Sequence, residues 1–187
     1  MSSSDVRTIV DLATGRLTGP AVEVADRAIS DLQGVFRDEA ARRALDPATR
    51  VYRVQILRPV PEGAEGGLFW GSTFIEPGLV GDEYFMTKGH FHQERNRGEY
   101  YVTVAGQGAL ILMDQDRRTW FEPMSPGSIH YVPGHVAHRT ANTSSDVLSF
   151  LACWPSDAGH DYATVAGQGF SARLRKIDGA PRLVEEP

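Results

Sequence analysis

The chain has 187 residues, 41% hydrophobic and 23% charged, an ordinary globular composition in a length that lets one domain bury its core without staples. A formal charge of −5 supplies no basic surface for nucleic acid, and one cysteine excludes both an internal disulfide and a cysteine-built zinc site. No stretch of roughly 18 apolar residues is present to cross a membrane as a helix.

The opening Met1-Ser2-Ser3-Ser4-Asp5-Val6-Arg7 has neither the basic start nor the apolar stretch of a secretory leader, so the expected compartment is the cytoplasm. Residues 8–33 alternate short apolar pieces with turns, and Asp11-Leu12-Ala13-Thr14-Gly15-Arg16-Leu17 reads as a hairpin covering the body of the fold. Asp38-Glu39-Ala40-Ala41-Arg42-Arg43-Ala44-Leu45 joins strong helix formers to early acids and late bases, as the helix dipole favours, and Pro47 follows. One short helix is expected there.

From Arg50 the pattern changes to short strands, over 51–57, 68–75, 83–87, 100–104, 109–114, 119–123, 129–132, 138–142 and 147–154. So many strands separated by turns make an all-β sandwich or barrel, best matched by a jelly roll, the double-stranded β-helix. One domain is expected: an N-terminal covering segment and helix over 1–49, the barrel with a pocket-closing segment over 50–174, and a tail or terminal strand over 175–187. Cys153, between Ala152 and Trp154, reads as core. The hexapeptide Thr-Val-Ala-Gly-Gln-Gly occurs at 103–108 and 164–169 and is read as two similar turns rather than a repeat architecture.

Chemistry concentrates between Thr87 and Tyr101. Alternation along a strand puts His90 and His92 on one face, and polar Gln93-Glu94-Arg95-Asn96-Arg97-Gly98 reads as a hairpin loop that returns Glu99 to face them. Val132-Pro133-Gly134-His135-Val136-Ala137-His138-Arg139 offers two candidates for a fourth ligand, His135 and His138, of which His138 is favoured. Imidazoles with one carboxylate and no thiolate suit one divalent ion such as Fe, Mn, Ni or Zn with coordination positions left open. Tyr101 shares the face of Glu99, whereas Lys88 is expected to point away from Thr87 and Gly89.

These motifs resemble the cupin superfamily and, more closely, the cupin-type phosphoglucose isomerases found largely in archaea. The resemblance rests on Thr87-Lys88-Gly89-His90-Phe91-His92, Glu99-x-Tyr101, Gly106-x-Gly108, Ala137-His138-Arg139-Thr140-x-Asn142 and Pro155-x-Asp157-Ala158-Gly159-His160-Asp161-Tyr162, and runs from about Gly34 to Arg173. It implies metal ligands His90, His92, Glu99 and His138, and contacts to a small-molecule sugar phosphate from Tyr52, Thr73, Thr87, Gly89, Tyr101, His160 and Tyr162. It also implies a homodimer. This chain departs from the family pattern at Gly134-His135-Val136 and at Trp154, where the family has a tyrosine.

The implied reaction interconverts glucose 6-phosphate and fructose 6-phosphate, in glycolysis or gluconeogenesis. A hydrogen moves between C1 and C2 while charge on the sugar oxygens is stabilised, a task for a Lewis-acidic metal. Glu99 and His138 are the candidate catalytic residues. Glu99 acts either as the base or, if a hydride shifts directly, as a ligand and orienter. Alternatives are an isomerase of another sugar or sugar phosphate such as mannose 6-phosphate, an iron cupin dioxygenase, and a phosphosugar-binding cupin without turnover.

Overall fold

In a computed structural model of the chain, residues 7–185 are described. The first six residues, part of the expected leaderless start, and the last two of the expected tail lie outside them. Among the described residues the strands are β1 (Ile9–Val10), β2 (Leu17–Thr18), β3 (Val22–Ala28), β4 (Arg50–Leu57), β5 (Leu68–Ile75), β6 (Leu79–Val80), β7 (Glu83–Tyr84), β8 (Glu99–Ala105), β9 (Gly108–Met113), β10 (Thr119–Met124), β11 (Ile129–Val132), β12 (Ala137–Asn142), β13 (Leu148–Pro155), β14 (Ala172–Ile177) and β15 (Ala180–Glu185). Two α-helices, α1 (Glu39–Ala44) and α2 (Tyr162–Gln168), and a 3-10 turn at Ile29–Leu32 complete them.

The larger sheet runs β11-β8-β13-β5-β4-β3 and a smaller one β10-β9-β12. From β8 onward the chain passes from the larger sheet into the smaller and back, β8 to β9, β10 to β11 and β12 to β13. This back-and-forth path is the jelly-roll, or double-stranded β-helix, fold of the cupins. Isolated bridges from Met86 to Ala141 and from His90 to His138 lay residues 86–90 along β12. The core lies between the sheets: every residue of β9 and of β12 is buried, with Leu110, Ile111, Leu112, Met124, Ile75 and Leu148 among the most enclosed.

The first hairpin, β1-β2, docks on the larger sheet through Gln55, whose amide accepts from the Leu17 N–H at 2.8 Å and donates to the Leu17 carbonyl at 3.0 Å. Helix α1 forms where expected because the Asp38 carboxylate accepts from the Ala41 N–H at 2.8 Å, satisfying one of the orphan donors of the first turn.

Other expectations are corrected. The 83–87 strand is regular only at Glu83–Tyr84, after which the backbone follows β12 by bridges and enters the left-handed region at Gly89, φ 76°. The two Thr-Val-Ala-Gly-Gln-Gly copies take different structures. The first ends β8 and turns at Gly106, φ 75°, whereas the second lies in α2, whose N-terminus Asp161 caps through the Thr164 N–H at 3.1 Å. Tertiary pairing overrides local preference here. Residues 172–185 form the β14-β15 hairpin. Cys153 is half-buried rather than core.

Candidate metal centre

His90 and His138 face each other across the bridge to β12, each donating its backbone N–H to the other's carbonyl, at 3.1 and 3.0 Å, and their rings meet at 4.4 Å. Only glycine fits just before this point. Beyond its positive φ, a Cβ on Gly89 would lie 2.9 Å from the Phe170 ring and 3.0 Å from the Arg139 Cβ. Glu99, the first residue of β8, approaches from the opposite sheet. The loop over 93–98 is therefore a crossing between sheets, not the expected hairpin, because β8 pairs with β11 and β13.

The donor atoms of His90, His92, Glu99 and His138 all lie within 4.8 Å of one another. Glu99 Oε1 stands 2.5 Å from His138 Nε2 and 3.7 Å from His92 Nε2. Among the described residues, these three atoms are buried and lack a partner in hydrogen-bonding alignment, despite the short Glu99–His138 approach. Leaving such atoms unmet costs about 1–3 kcal/mol each, and a shared divalent cation satisfies them together. The His92 ring is held for this by its Nδ1, which donates to the Arg97 carbonyl at 2.8 Å and leaves Nε2 free of a proton.

Electrostatics favour the same donor state. Burial, reinforced by the other imidazoles, holds His90 well below the ordinary histidine value, and burial likewise lowers His92. Burial pushes the Glu99 carboxyl up, but the His138 and His92 imidazoles and the Tyr101 hydroxyl outweigh it and hold it below the usual range. Neutral nitrogen donors and an ionised carboxylate are what a divalent ion binds. His135, the other histidine of its segment, is exposed at φ 66° and bonds Gln115 at 2.7 Å, outside the cluster.

His90, Glu99 and His138 stand on the wall of a cavity of about 380 Å³, which Tyr52, Thr73, Thr87, Gly89, Tyr101, His160 and Tyr162 also line. His92 completes the cluster from behind that wall. Burial pushes the Tyr52 phenol up to about 12, and burial with the Glu99 charge keeps Tyr101 protonated as a donor to that carboxylate. His160 stacks on Tyr162 at 5.7 Å and lies 4.4 Å from the His90 ring.

Residues 26–181 match the family described as glucose-6-phosphate isomerase (GPI). The chain belongs to the glucose-6-phosphate isomerase family. It is 41% identical over 182 residues to the glucose-6-phosphate isomerase of Pyrococcus horikoshii, covering 95% of this chain and 93% of that one. It is 41% identical over 181 residues to that of Thermococcus kodakarensis, with the same coverage, and 36% identical over 172 residues to that of Sinorhizobium medicae, covering 90% of this chain and 78% of the relative. Among solved structures, an oxalate decarboxylase from Bacillus subtilis superposes with a TM-score of 0.46 and 20% identity, over 58% of this chain and 26% of the other.

For a member of the glucose-6-phosphate isomerase family, the cavity holds residues that the motifs did not reveal. Arg27, Arg58, Lys88 and Trp154 also line it. Arg27 sits on β3, and period-two alternation over 22–28 would have placed it beside Ala25 on the inner face had a strand been drawn there. Lys88 lines the cavity with Thr87 and Gly89, and its backbone bonds the Tyr52 hydroxyl. Trp154 packs its indole on Gly71, where a Cβ would come within 2.9 Å of the ring.

Proposed function

We propose that this chain interconverts glucose 6-phosphate and fructose 6-phosphate. The observation that carries the reading is the placement of His90, Glu99 and His138 on one wall of a cavity whose other walls offer Thr73, Thr87, Tyr52 and Tyr162, in a chain of the glucose-6-phosphate isomerase family. His90, His92, Glu99 and His138 would hold one divalent ion, Fe, Mn, Ni or Zn. When bound, the ion supplies Lewis-acid polarisation of the sugar oxygens at C1 and C2.

The remaining work falls to the side chains. Glu99, ionised and oriented by the Tyr101 hydroxyl, takes the proton from one carbon and returns it to its neighbour. His138 fixes the Glu99 carboxylate from the facing sheet. At the mouth, neutral His160 and the Tyr162 phenol hold sugar hydroxyls, and burial keeps His160 below its ordinary value. The Thr73 and Thr87 hydroxyls, the Gly89 N–H and the Tyr52 phenol receive the phosphate, with Arg27 adding charge. We propose that the enzyme is a homodimer, on the family resemblance.

The test is incubation of metal-stripped and metal-restored protein with fructose 6-phosphate, with mannose 6-phosphate in parallel because Trp154 alters the cavity wall. Glucose 6-phosphate formed only with metal supports the reading. Its absence under Fe, Mn, Ni and Zn alike overturns it.

A further inference from the structure

The crossing loop between His92 and Glu99 reaches in two directions. Inward, the Arg97 carbonyl accepts from His92 Nδ1 at 2.8 Å, aiming Nε2 at the other donors. Outward, the Arg97 guanidinium grips Asp157 with both arms, Nε to Oδ1 at 3.0 Å and Nη2 to Oδ2 at 2.7 Å. Nearby contacts run the same way. Arg95 pairs with Asp161 and lies 4.3 Å over the Phe91 ring, and the Glu94 N–H donates to the Ala158 carbonyl at 3.0 Å. Phe91 and Asp161 exchange backbone bonds at 2.8 and 3.3 Å. The segment gripped in this way carries His160, with Tyr162 next to it, over His90.

We infer that Arg97 is a positioning residue that joins the metal centre to the pocket mouth. Its carbonyl sets the His92 ring, and its side chain holds the 157–162 segment so that His160 and Tyr162 face the sugar. The sugar half deepens the isomerase reading and rests on it, whereas the metal half rests on the donor cluster alone. Because one residue serves both parts, the coupling is reciprocal: loosening the mouth at Asp157 loosens the metal, although Asp157 is not among the four donors. The pair is partly exposed, with side chains 34% and 30% accessible, so the coupling is modest.

The test measures Mn2+ affinity by EPR titration of the metal-stripped full chain, without sugar, for Asp157→Ala, Arg97→Ala and the double variant. Each single change is expected to lower affinity about three- to tenfold, with the double variant no worse than Arg97→Ala. In turnover, KM for fructose 6-phosphate rises more than kcat falls, and Arg97→Lys, which keeps the charge without the two-armed fork, recovers only part of the loss. Unchanged Mn2+ affinity in Asp157→Ala, or additive losses in the double variant, overturns the inference. Should Arg97→Ala not fold, Asp157→Ala and Asp157→Asn on the rim decide the matter by the same titration. Wild-type protein that binds Mn2+ yet makes no glucose 6-phosphate overturns the isomerase reading and leaves the Mn2+ comparison standing.

Discussion

His138 Nε2 and Glu99 Oε1 stand 2.5 Å apart although β12 and β8 belong to different sheets, and the approach lacks hydrogen-bond alignment. Both atoms are buried without an aligned partner, and a divalent cation bound between them would satisfy both. Mn2+ at about 100 times its dissociation constant is expected to stabilise the protein by ~2.7 kcal/mol, which raises Tm by roughly 5–10 °C in a chain of this size. Differential scanning calorimetry with and without chelator checks this. His138→Ala and Glu99→Gln should abolish the metal-dependent rise while leaving a folded protein.

Gly89→Ala strikes the backbone that aims His90. Its left-handed φ costs an alanine about 1–2 kcal/mol, and crowding against Phe170 and Arg139 adds to that. A total loss of about 2–4 kcal/mol is expected by urea unfolding, with weaker Mn2+ binding in the fraction that folds. A stability equal to wild type would show that the chain relaxes around the new methyl.

Arg27→Ala removes a cavity cation whose charge reaches the Tyr52 and Tyr162 phenols. Charge-assisted contacts to phosphate contribute about 1.5–3 kcal/mol, so KM for fructose 6-phosphate should rise by a factor of about 10–100. Mn2+ affinity should not change, since Arg27 is outside the donor cluster. Steady-state kinetics beside the Mn2+ titration separates the two effects.

Much of the site was legible in the sequence because its spacing reflects fixed geometry. His90 and His92, two residues apart, converge, and Glu99 and His138 meet them. What escaped depended on partners far along the chain. Arg27 entered the cavity only because β3 pairs with β4. The fold was read with similar limits: nine expected strands have counterparts, whereas α2 was hidden in a hexapeptide that forms a strand and turn elsewhere. Asn142, part of a family motif, serves structure, donating to the Ile75 and Asp146 carbonyls at 2.8 and 2.7 Å.

The two carboxylate pairs that hold the mouth segment should be insensitive to mild acid. Hydrogen bonds from Arg97 hold Asp157 below its ordinary value of 3.8, and those from Thr164, then the Arg95 charge, do the same for Asp161. A carboxylate with a depressed folded value contributes stability that is present above its unfolded value and lost as pH falls through the folded one. In a His160→Gln variant, which removes the imidazole that would itself titrate below 6.5, amide hydrogen exchange over 157–168, corrected for intrinsic rates, is therefore expected to match at pH 7 and pH 5 and to lose protection only below 3.8. Loss already at pH 5 would mean these pairs do not hold the segment.

The most direct measurement is anomalous diffraction at the manganese edge from crystals of the full chain grown with Mn2+. One peak per subunit is expected, within coordination distance of His90, His92, Glu99 and His138 together. Density without a peak among those four side chains, or a peak elsewhere, contradicts a single shared cation.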